Sequence, residues 1–336
     1  MYSIPSSYNI LYVLNRSAAM SLPYHILLYY CYTTIEAPAD FREEHHRYCL
    51  ANNLLGRIII APEGINGTLS GTPQACAQYI QYLKQDSRFA HTHFKVATHH
   101  QHAFQKLHVR VKPEIVHADL PHINPQQRTG EYVTPKALQR MRTDQDVVLL
   151  DVRSNYEHRL GKFKDAVTLD IDHFRQFPDQ VATLAPYKDK KIVTYCTGGI
   201  KCEKASAYLL EQGFQNVYQL HGGIIQYGLE TDGEDFEGQC YVFDNRLKTN
   251  INKQNPSIVS QCHACRNPCD RMVNCANPVC NLHTPLCEPC AEALEGACST
   301  TCQQHPAKRP YDGTGYYARV LNGYNPYQHL RKHRQP

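Results

Sequence analysis

Between the apolar run Ile192–Tyr195 and the helix-forming stretch Glu203–Gln212 lies Cys196-Thr197-Gly198-Gly199-Ile200-Lys201-Cys202. A thiol at the carboxyl end of a parallel strand faces the crevice in which such sheets collect ligands. The backbone N–H groups of a short loop can converge on that sulfur, and the start of the following helix adds partial positive charge. Both favour the thiolate, which is the nucleophile. Gly198 and Gly199 permit the unusual backbone angles such a cradle needs, and Lys201 supplies a nearby cation. Against this stands the plainer reading of Cys196 as a core thiol beside two turn glycines; the strand before and the helix after favour the reactive one. Two readings stand for Cys202. It forms a disulfide or exchanges a persulfide with Cys196, or it is a small first-turn residue without redox work. A cysteine phosphatase is not expected. That chemistry needs Cys, five residues, then Arg for a bidentate hold on phosphate, whereas position 202 is Cys and Lys201 lacks the guanidinium fork.

A second chemistry-bearing group sits further on. Of 15 cysteines, nine lie between Cys262 and Cys302 and only three in the first 195 residues. Eight of the nine fall into close pairs, Cys262/Cys265, Cys275/Cys280, Cys287/Cys290 and Cys298/Cys302, leaving Cys269 over. Thiolates two to four residues apart take two corners of a zinc tetrahedron, so four pairs suit two structural Cys₄ sites. His263 and His283 are candidates to replace one cysteine each. The pairing is open at this level, and the alternatives are a reduced metal-free module or disulfides. Met1 to Leu22 has neither a basic n-region nor a long apolar stretch, so a signal peptide is not expected. Without one, metal is the better reading of the cluster.

The elements that must position these groups are legible in outline. At 336 residues the chain fits two or three domains. His25–Tyr32, Gly56–Ile60, Thr68–Ser70, Phe94–Ala97 and His108–Lys112 read as extended. Asp40–Leu55, with Asp40 as N-cap, and Pro73–Lys84 read as helices. The order strand, helix, two strands, helix, strand suggests a ferredoxin-like α+β sandwich. After a Pro- and Gln-rich linker, the strands Val147–Leu150, Ala166–Leu169, Ile192–Tyr195 and Val217–Leu220 alternate with helices at Pro135–Arg142, Tyr156–Arg159 and Glu203–Gln212. That alternation implies a mostly parallel sheet covered on both faces. No apolar run approaches the roughly 18 residues that cross a bilayer, so no membrane partner and a cytoplasmic location are expected.

The net charge of +4 is mild and permits nucleic-acid binding without arguing for it. Its distribution says more. In the tail, Lys308, Arg309, Arg319, Arg331, Lys332 and Arg334 face the single acid Asp312, with Tyr311, Tyr316, Tyr317, Tyr324 and Tyr327 interleaved. Cations for phosphates and aromatic faces for unpaired bases suit single-stranded RNA loops. Arg309, Arg319, Arg331, Lys332, Tyr316 and Tyr317 are the candidates, with Arg88, Lys95, Lys106, Arg110 and Lys112 adding charge in the first domain. The alternative is a solvated tail and an ordinary polar surface. The glycines of Glu63–Gly71 read either as a hairpin or as a loop approaching RNA.

Around the reactive loop, Leu150-Asp151-Val152-Arg153 with Glu157, Gly161 and Ala166, and then Gly213-Phe214, Val217-Tyr218-Gln219-Leu220 and Gly222-Gly223-Ile224, resemble in order and spacing the rhodanese superfamily. In that superfamily a loop cysteine carries a persulfide. The resemblance gives Asp151, Arg153 and Glu157 a structural role, with Thr197, Gly198, Gly199, Ile200, Lys201 and Cys202 supporting Cys196. Narrower matches are Cys196 to Ser206, Ile60-Ala61-Pro62-Glu63-Gly64-Ile65-Asn66-Gly67-Thr68-Leu69-Ser70-Gly71, and Cys262 to Asn281. Together these resemble the bacterial tRNA wobble-uridine hydroxylase family, rhodanese-domain proteins that make 5-hydroxyuridine with oxygen. The resemblance spans about residues 24 to 325, with two departures: the N-terminal 20 or so residues, and Lys201 where Arg is common.

The resemblance implies an oxygenase on the tRNA anticodon loop, with oxygen as co-substrate and an unassigned electron donor. The chain carries no flavin or nicotinamide fingerprint. Cys196 would act either by thiolate addition to C6 of uracil, making C5 electron-rich, or as a persulfide reductant. A rhodanese-type sulfurtransferase and a non-catalytic RNA-binding adaptor are the alternatives. The expected division is a disordered lead-in or misassigned start (1–20), a ferredoxin-like, acylphosphatase-like domain (21–117), a linker (118–130), a rhodanese-like catalytic domain (131–250), a Cys-rich zinc-type module (251–305) and a basic Tyr/Arg-rich tail (306–336).

Overall fold

The computed structural model describes residues 23–315; the lead-in expected at 1–20 lies outside them. The first sheet comprises β1 (Tyr24–Tyr32), β2 (Leu55–Ala61), β3 (Gly64–Gly71), β4 (Lys95–His99) and β5 (Leu107–Val111), with α1 (Pro38–Ala51) and α2 (Pro73–Gln85). Its order is β4-β1-β3-β2-β5. It is a mixed sheet, antiparallel except where β5 runs parallel to β2. Side chains alternate along β1. Leu27, Tyr29 and Cys31 face the core shared with Cys49 of α1 and Tyr79 and Leu83 of α2. Leu28, Tyr30 and Tyr32 therefore point from the opposite face.

Helix α1 starts two residues before the expected Asp40, because Pro38 occupies a first-turn position that needs no N–H. Asp40 instead lies in the first turn, where its charge suits the helix dipole. Helix α2 has Pro73 in its first turn and Thr72 as N-cap, the hydroxyl accepting from the Ala75 amide at 3.2 Å. The glycine-rich motif is a hairpin between β2 and β3. A Cβ on Gly64 would stand 2.0 Å from the Cys31 carbonyl oxygen, so glycine is what lets β3 lie against β1.

The second sheet is all parallel. Its strands are β6 (Glu131–Val133), β7 (Val147–Asp151), β9 (Val167–Thr168), β10 (Lys191–Tyr195) and β11 (Val217–Leu220), in the order β6-β11-β10-β7-β9. Around it lie α3 (Pro135–Met141), α4 (Asn155–His158), α5 (Phe177–Gln180), α6 (Ile200–Glu211) and α7 (Gly223–Thr231). Leu150, Ile192 and Val217 pack with Phe177 of α5 and Cys202, Ala205 and Leu209 of α6. Leu149, Val193, Tyr195 and Leu220 pack with Leu138 of α3 and Ile224 and Tyr227 of α7. Both faces are thus covered, as the apolar runs require. The short strand β8 (Gly161–Phe163) pairs with β12 (Phe236–Tyr241), which pairs with β13 (Lys248–Asn250). The cysteine-rich region follows, with β14 (Met272–Asn274) and β15 (His283–Pro285) as a hairpin, then α8 (Glu288–Ala293) and α9 (Thr300–Gln303). Among the described residues no helix is long and apolar enough to cross a membrane.

The two sheets meet through a buried ion cluster. Lys204, fully buried on α6, bonds Glu63 of the glycine-rich hairpin at 2.9 Å and Glu114 after β5 at 2.6 Å. Removing one member of a buried ionic group leaves the rest unpaired in a poorly solvated place. Lys204→Met is therefore expected to lower stability by about 3–5 kcal/mol, read as a denaturant midpoint shift. An unchanged midpoint would show that the cluster does not join the domains.

Candidate active site

Cys196 follows β10 directly and is 1% exposed. Its sulfur accepts the Gly199 amide at 3.1 Å. Gly199 holds φ at 102°, so the chain turns back on the sulfur before α6 begins at Ile200. Burial pushes the Cys196 thiol up. The Cys202 thiol, the Lys201 ammonium and the amides of Lys201 and Gly199 outweigh it, bringing the group down to about 6. Cys202, fully buried in the first turn of α6, is pushed well above the ordinary thiol value by burial and by the neighbouring sulfur. Of the two sulfurs, Cys196 is the one whose surroundings favour the anion. Both cysteines are free.

The rest of the loop is fixed from below. The carbonyls of Cys196 and Thr197 accept the Ile224 and Ile225 amides at 3.0 and 3.1 Å. A Cβ on Gly223 would stand 2.5 Å from the Cys196 carbonyl oxygen, so only glycine lets α7 approach. The Thr197 hydroxyl reaches the Tyr241 carbonyl at 3.4 Å. Lys201 pairs with the buried Glu157 at 2.5 Å, and Glu157 also accepts the Ser154 amide at 3.1 Å. Arg153 and Asp151 form a fully buried bidentate pair at 2.9 and 2.6 Å, and Arg153 also donates to the Gly161 carbonyl at 2.8 Å. These two tie β7 to β8 and do not touch the sulfur.

From above, the loop is covered by the outer face of the first sheet. Leu28 lies against Gly198, and the Tyr30 hydroxyl stands 2.9 Å from where a Gly199 Cβ would be. Tyr32 donates to the Ile200 carbonyl at 3.5 Å, and Lys95 of β4 donates to the Gly198 carbonyl at 2.8 Å. Glu203 of α6 accepts from Tyr30 and Tyr132, both at 2.8 Å, and from Gln219 at 3.1 Å. Beside the loop is a largely apolar cavity of about 120 Å³ whose lining includes Leu28, Lys95, Thr197 and Ile225. The sequence had offered Lys95 as a surface cation for phosphate; it is buried against the loop instead. The period-two pattern Leu28, Tyr30, Tyr32 was readable as a half-polar strand face, but nothing local said what it would cover.

The eight paired cysteines gather into two sets, Cys262, Cys265, Cys287 and Cys290, and Cys275, Cys280, Cys298 and Cys302, with all sulfurs of a set within 4.8 Å. The pairs interleave, first with third and second with fourth. Sulfurs lie 3.7 Å apart in Cys265/Cys287, Cys280/Cys298 and Cys298/Cys302, far beyond the roughly 2.05 Å of a disulfide. Amides of Cys287 and Cys298 donate to the sulfurs of Cys262 and Cys275, both at 3.4 Å. Against the opposing effect of burial, amides and the Cys287 thiol bring Cys262 down to about 6. The Cys287 sulfur and burial push Cys290 up to about 12. His263, His283 and Cys269 belong to neither set.

Arg309 turns inward, donating to the carbonyls of Cys275 and Ala276 beside the second set. Arg319, Arg331, Lys332, Tyr316 and Tyr317 lie outside the described residues.

Comparison with known families and proteins agrees with this layout. Residues 24–115 match the UPF0176 acylphosphatase like domain, 134–229 the rhodanese-like domain and 237–303 the rhodanase C-terminal family. The tRNA uridine(34) hydroxylase of Cytophaga hutchinsonii is 61% identical over 309 residues, covering 92% of this chain and 99% of its own. Those of Bacillus mycoides and Staphylococcus epidermidis are 46% and 44% identical, covering 87% and 86% of this chain and 92% and 91% of theirs. Among solved structures, a rhodanese-related protein from Thermoplasma volcanium is 22% identical over 30% of this chain and 93% of its own, with a TM-score of 0.27.

Proposed function

The chain belongs to the tRNA uridine(34) hydroxylase family, and we propose that it hydroxylates uridine 34 of tRNA at C5 with oxygen, using Cys196 as the reacting group. The observation that carries this reading is a buried sulfur that accepts the Gly199 amide at 3.1 Å, in a chain 61% identical over 92% of its length to a hydroxylase of that name. The ionised sulfur serves either route expected of it. As a thiolate it adds to C6 of uracil and raises electron density at C5, and it is expelled when the oxygenated C5 loses its proton, an external two-electron donor reducing the second oxygen atom to water; as a persulfide it is itself the two-electron donor. Thr197, Gly198, Gly199, Ile200, Lys201 and Cys202 shape the cradle, while Asp151 and Arg153 hold the domain.

The finer assignments form part of the same proposal. The β4-β1-β3-β2 portion of the first sheet, with two helices on one face, supports a ferredoxin-like domain at 21–117. A linker (118–130), a catalytic domain (131–250), a metal module (251–305) and a basic tail (306–336) follow. Each sulfur set fits zinc. Four thiolates at about 2.3 Å from a zinc ion lie about 3.8 Å apart, near the 3.7 Å separations here. Four ionised thiols cannot share such a space without a cation. Cys262, Cys265, Cys287 and Cys290 would hold one ion and Cys275, Cys280, Cys298 and Cys302 the other. With every corner filled, its work is scaffolding. The tail, through Arg319, Arg331, Lys332, Tyr316 and Tyr317, would meet the anticodon loop in the cytoplasm, with Arg309 bracing the module from which it departs.

Mass spectrometry of wobble nucleosides, in cells with and without this protein, tests the function. 5-Hydroxyuridine is expected with it and lost without it. Unchanged hydroxyuridine, or thiosulfate-to-cyanide turnover in its place, would overturn the proposal in favour of sulfur transfer.

A further inference from the structure

The cations around the reactive loop are matched with acids, with one exception. Lys201 pairs with Glu157, Arg153 with Asp151, Arg246 with Asp244, and Lys204 with Glu63 and Glu114. Lys95 is 3% exposed, yet among the described residues no carboxylate lies within ion-pair distance of it. It donates to the Gly198 carbonyl at 2.8 Å and sits 5.3 Å from the centre of the Tyr30 ring. An ammonium taken from water without a counter-charge is costly, and its position needs a reason. Burial brings Lys95 down to about 8, and the charges pulling it back are those of Cys196 first and Glu203 second.

We propose that Lys95 is a second cation supporting the Cys196 thiolate through the Gly198–Gly199 peptide, a positioning residue by which the first domain completes the reactive centre. Lys201 is the other cation acting on the sulfur, and its charge is shared with Glu157; Cys202 keeps its proton. Glu203 is acidic and turned towards the hydroxyls of Tyr30 and Tyr132. Tyr30 and Tyr32 are pushed well up, by burial first and then by nearby carboxylates. His221 is pushed down by burial and by the charges of His93 and Lys95, so it is neutral near pH 7. Lys95 thus does two things from one atom. It fixes the Gly198 carbonyl, and hence the Gly199 amide of the same peptide that meets the sulfur, and it sets a positive charge with no carboxylate partner at the carbonyl end of that peptide's dipole.

The assignment rests on Cys196 as the reacting group but needs no tRNA to be tested. Alkylation of Cys196 by iodoacetamide, resolved peptide by peptide by mass spectrometry from pH 5 to 9, reads the ionisation of the sulfur. Domain opening scales the rates and leaves the midpoint alone. Wild type is expected to turn on near pH 6. Lys95→Gln can still donate to the Gly198 carbonyl but carries no charge. Its midpoint is expected to rise by about one to two pH units, with labelling at pH 6 about five- to fifty-fold slower. Lys95→Arg should restore the wild-type midpoint. Leu28→Ala, which loosens the same contact without changing charge, should speed labelling and leave the midpoint in place. An unmoved midpoint in Lys95→Gln overturns the proposal. So does an equal rise in Leu28→Ala, since that would make Lys95 a packing contact only, and so does a Cys196 that no pH makes reactive. Failure to find hydroxyuridine would remove the hydroxylase reading and leave this result standing.

Discussion

Cells whose only copy of this protein carries Cys196→Ala should contain no 5-hydroxyuridine at the wobble position. The loss is expected to be on the order of 10³-fold or more, because both routes open to the site run through one sulfur and no second nucleophile replaces it. Cys202 is the nearest other thiol, but burial and the Cys196 anion hold its proton on. The variant should fold. The loop's frame comes from backbone bonds to Ile224 and Ile225 and from the Lys201–Glu157 pair, none of which needs the sulfur. Nucleoside mass spectrometry, beside a melting curve showing an intact protein, decides the matter. Normal hydroxyuridine in a folded Cys196→Ala chain would rule out thiolate and persulfide routes together.

Metal analysis of the purified protein should return two zinc ions per chain, one for each sulfur set. A structural Cys₄ zinc contributes roughly 10–16 kcal/mol at neutral pH. The core it would replace is small: Val273, Leu286 and Ala291 beside the first set, Ala297 beside the second. Chelation should therefore unfold residues 262–302 and expose the thiols to titration. It should also loosen the contact of Met272 with Leu160 and Tyr241. Serine at Cys287 should lower the zinc content and have the same effect. Zinc well below one per chain, with a fold indifferent to chelator, would sink the assignment.

The parts of this molecule written locally were legible in the sequence. The apolar runs of β7, β10 and β11, the Pro73 start of α2 and the glycines around Cys196 each act through neighbours a few residues away. Local pattern misled at Asp40, because Pro38 is the better helix opener. What the sequence withheld depends on contacts between distant segments. Interleaving of the cysteine pairs is a property of the chain's path, and spacing alone suits adjacent pairing equally well. Lys95 resembles any surface lysine until β4 is laid beside β1 and both are set over residues 198 and 199. Glu63 and Glu114 become one site only when Lys204 arrives between them.

The outer face of β1 leaves almost none of the Cys196 sulfur in contact with solvent. A thiolate ionised near neutral pH would ordinarily be the first group in a cell to be lost to peroxide. Here the packed first sheet stands between the anion and an oxidant in solution, so the group's lifetime depends on how often that cover lifts as well as on its own reactivity. A substrate that binds the open form more tightly than the closed one draws the two sheets apart by that difference in affinity; a small peroxide has no such leverage.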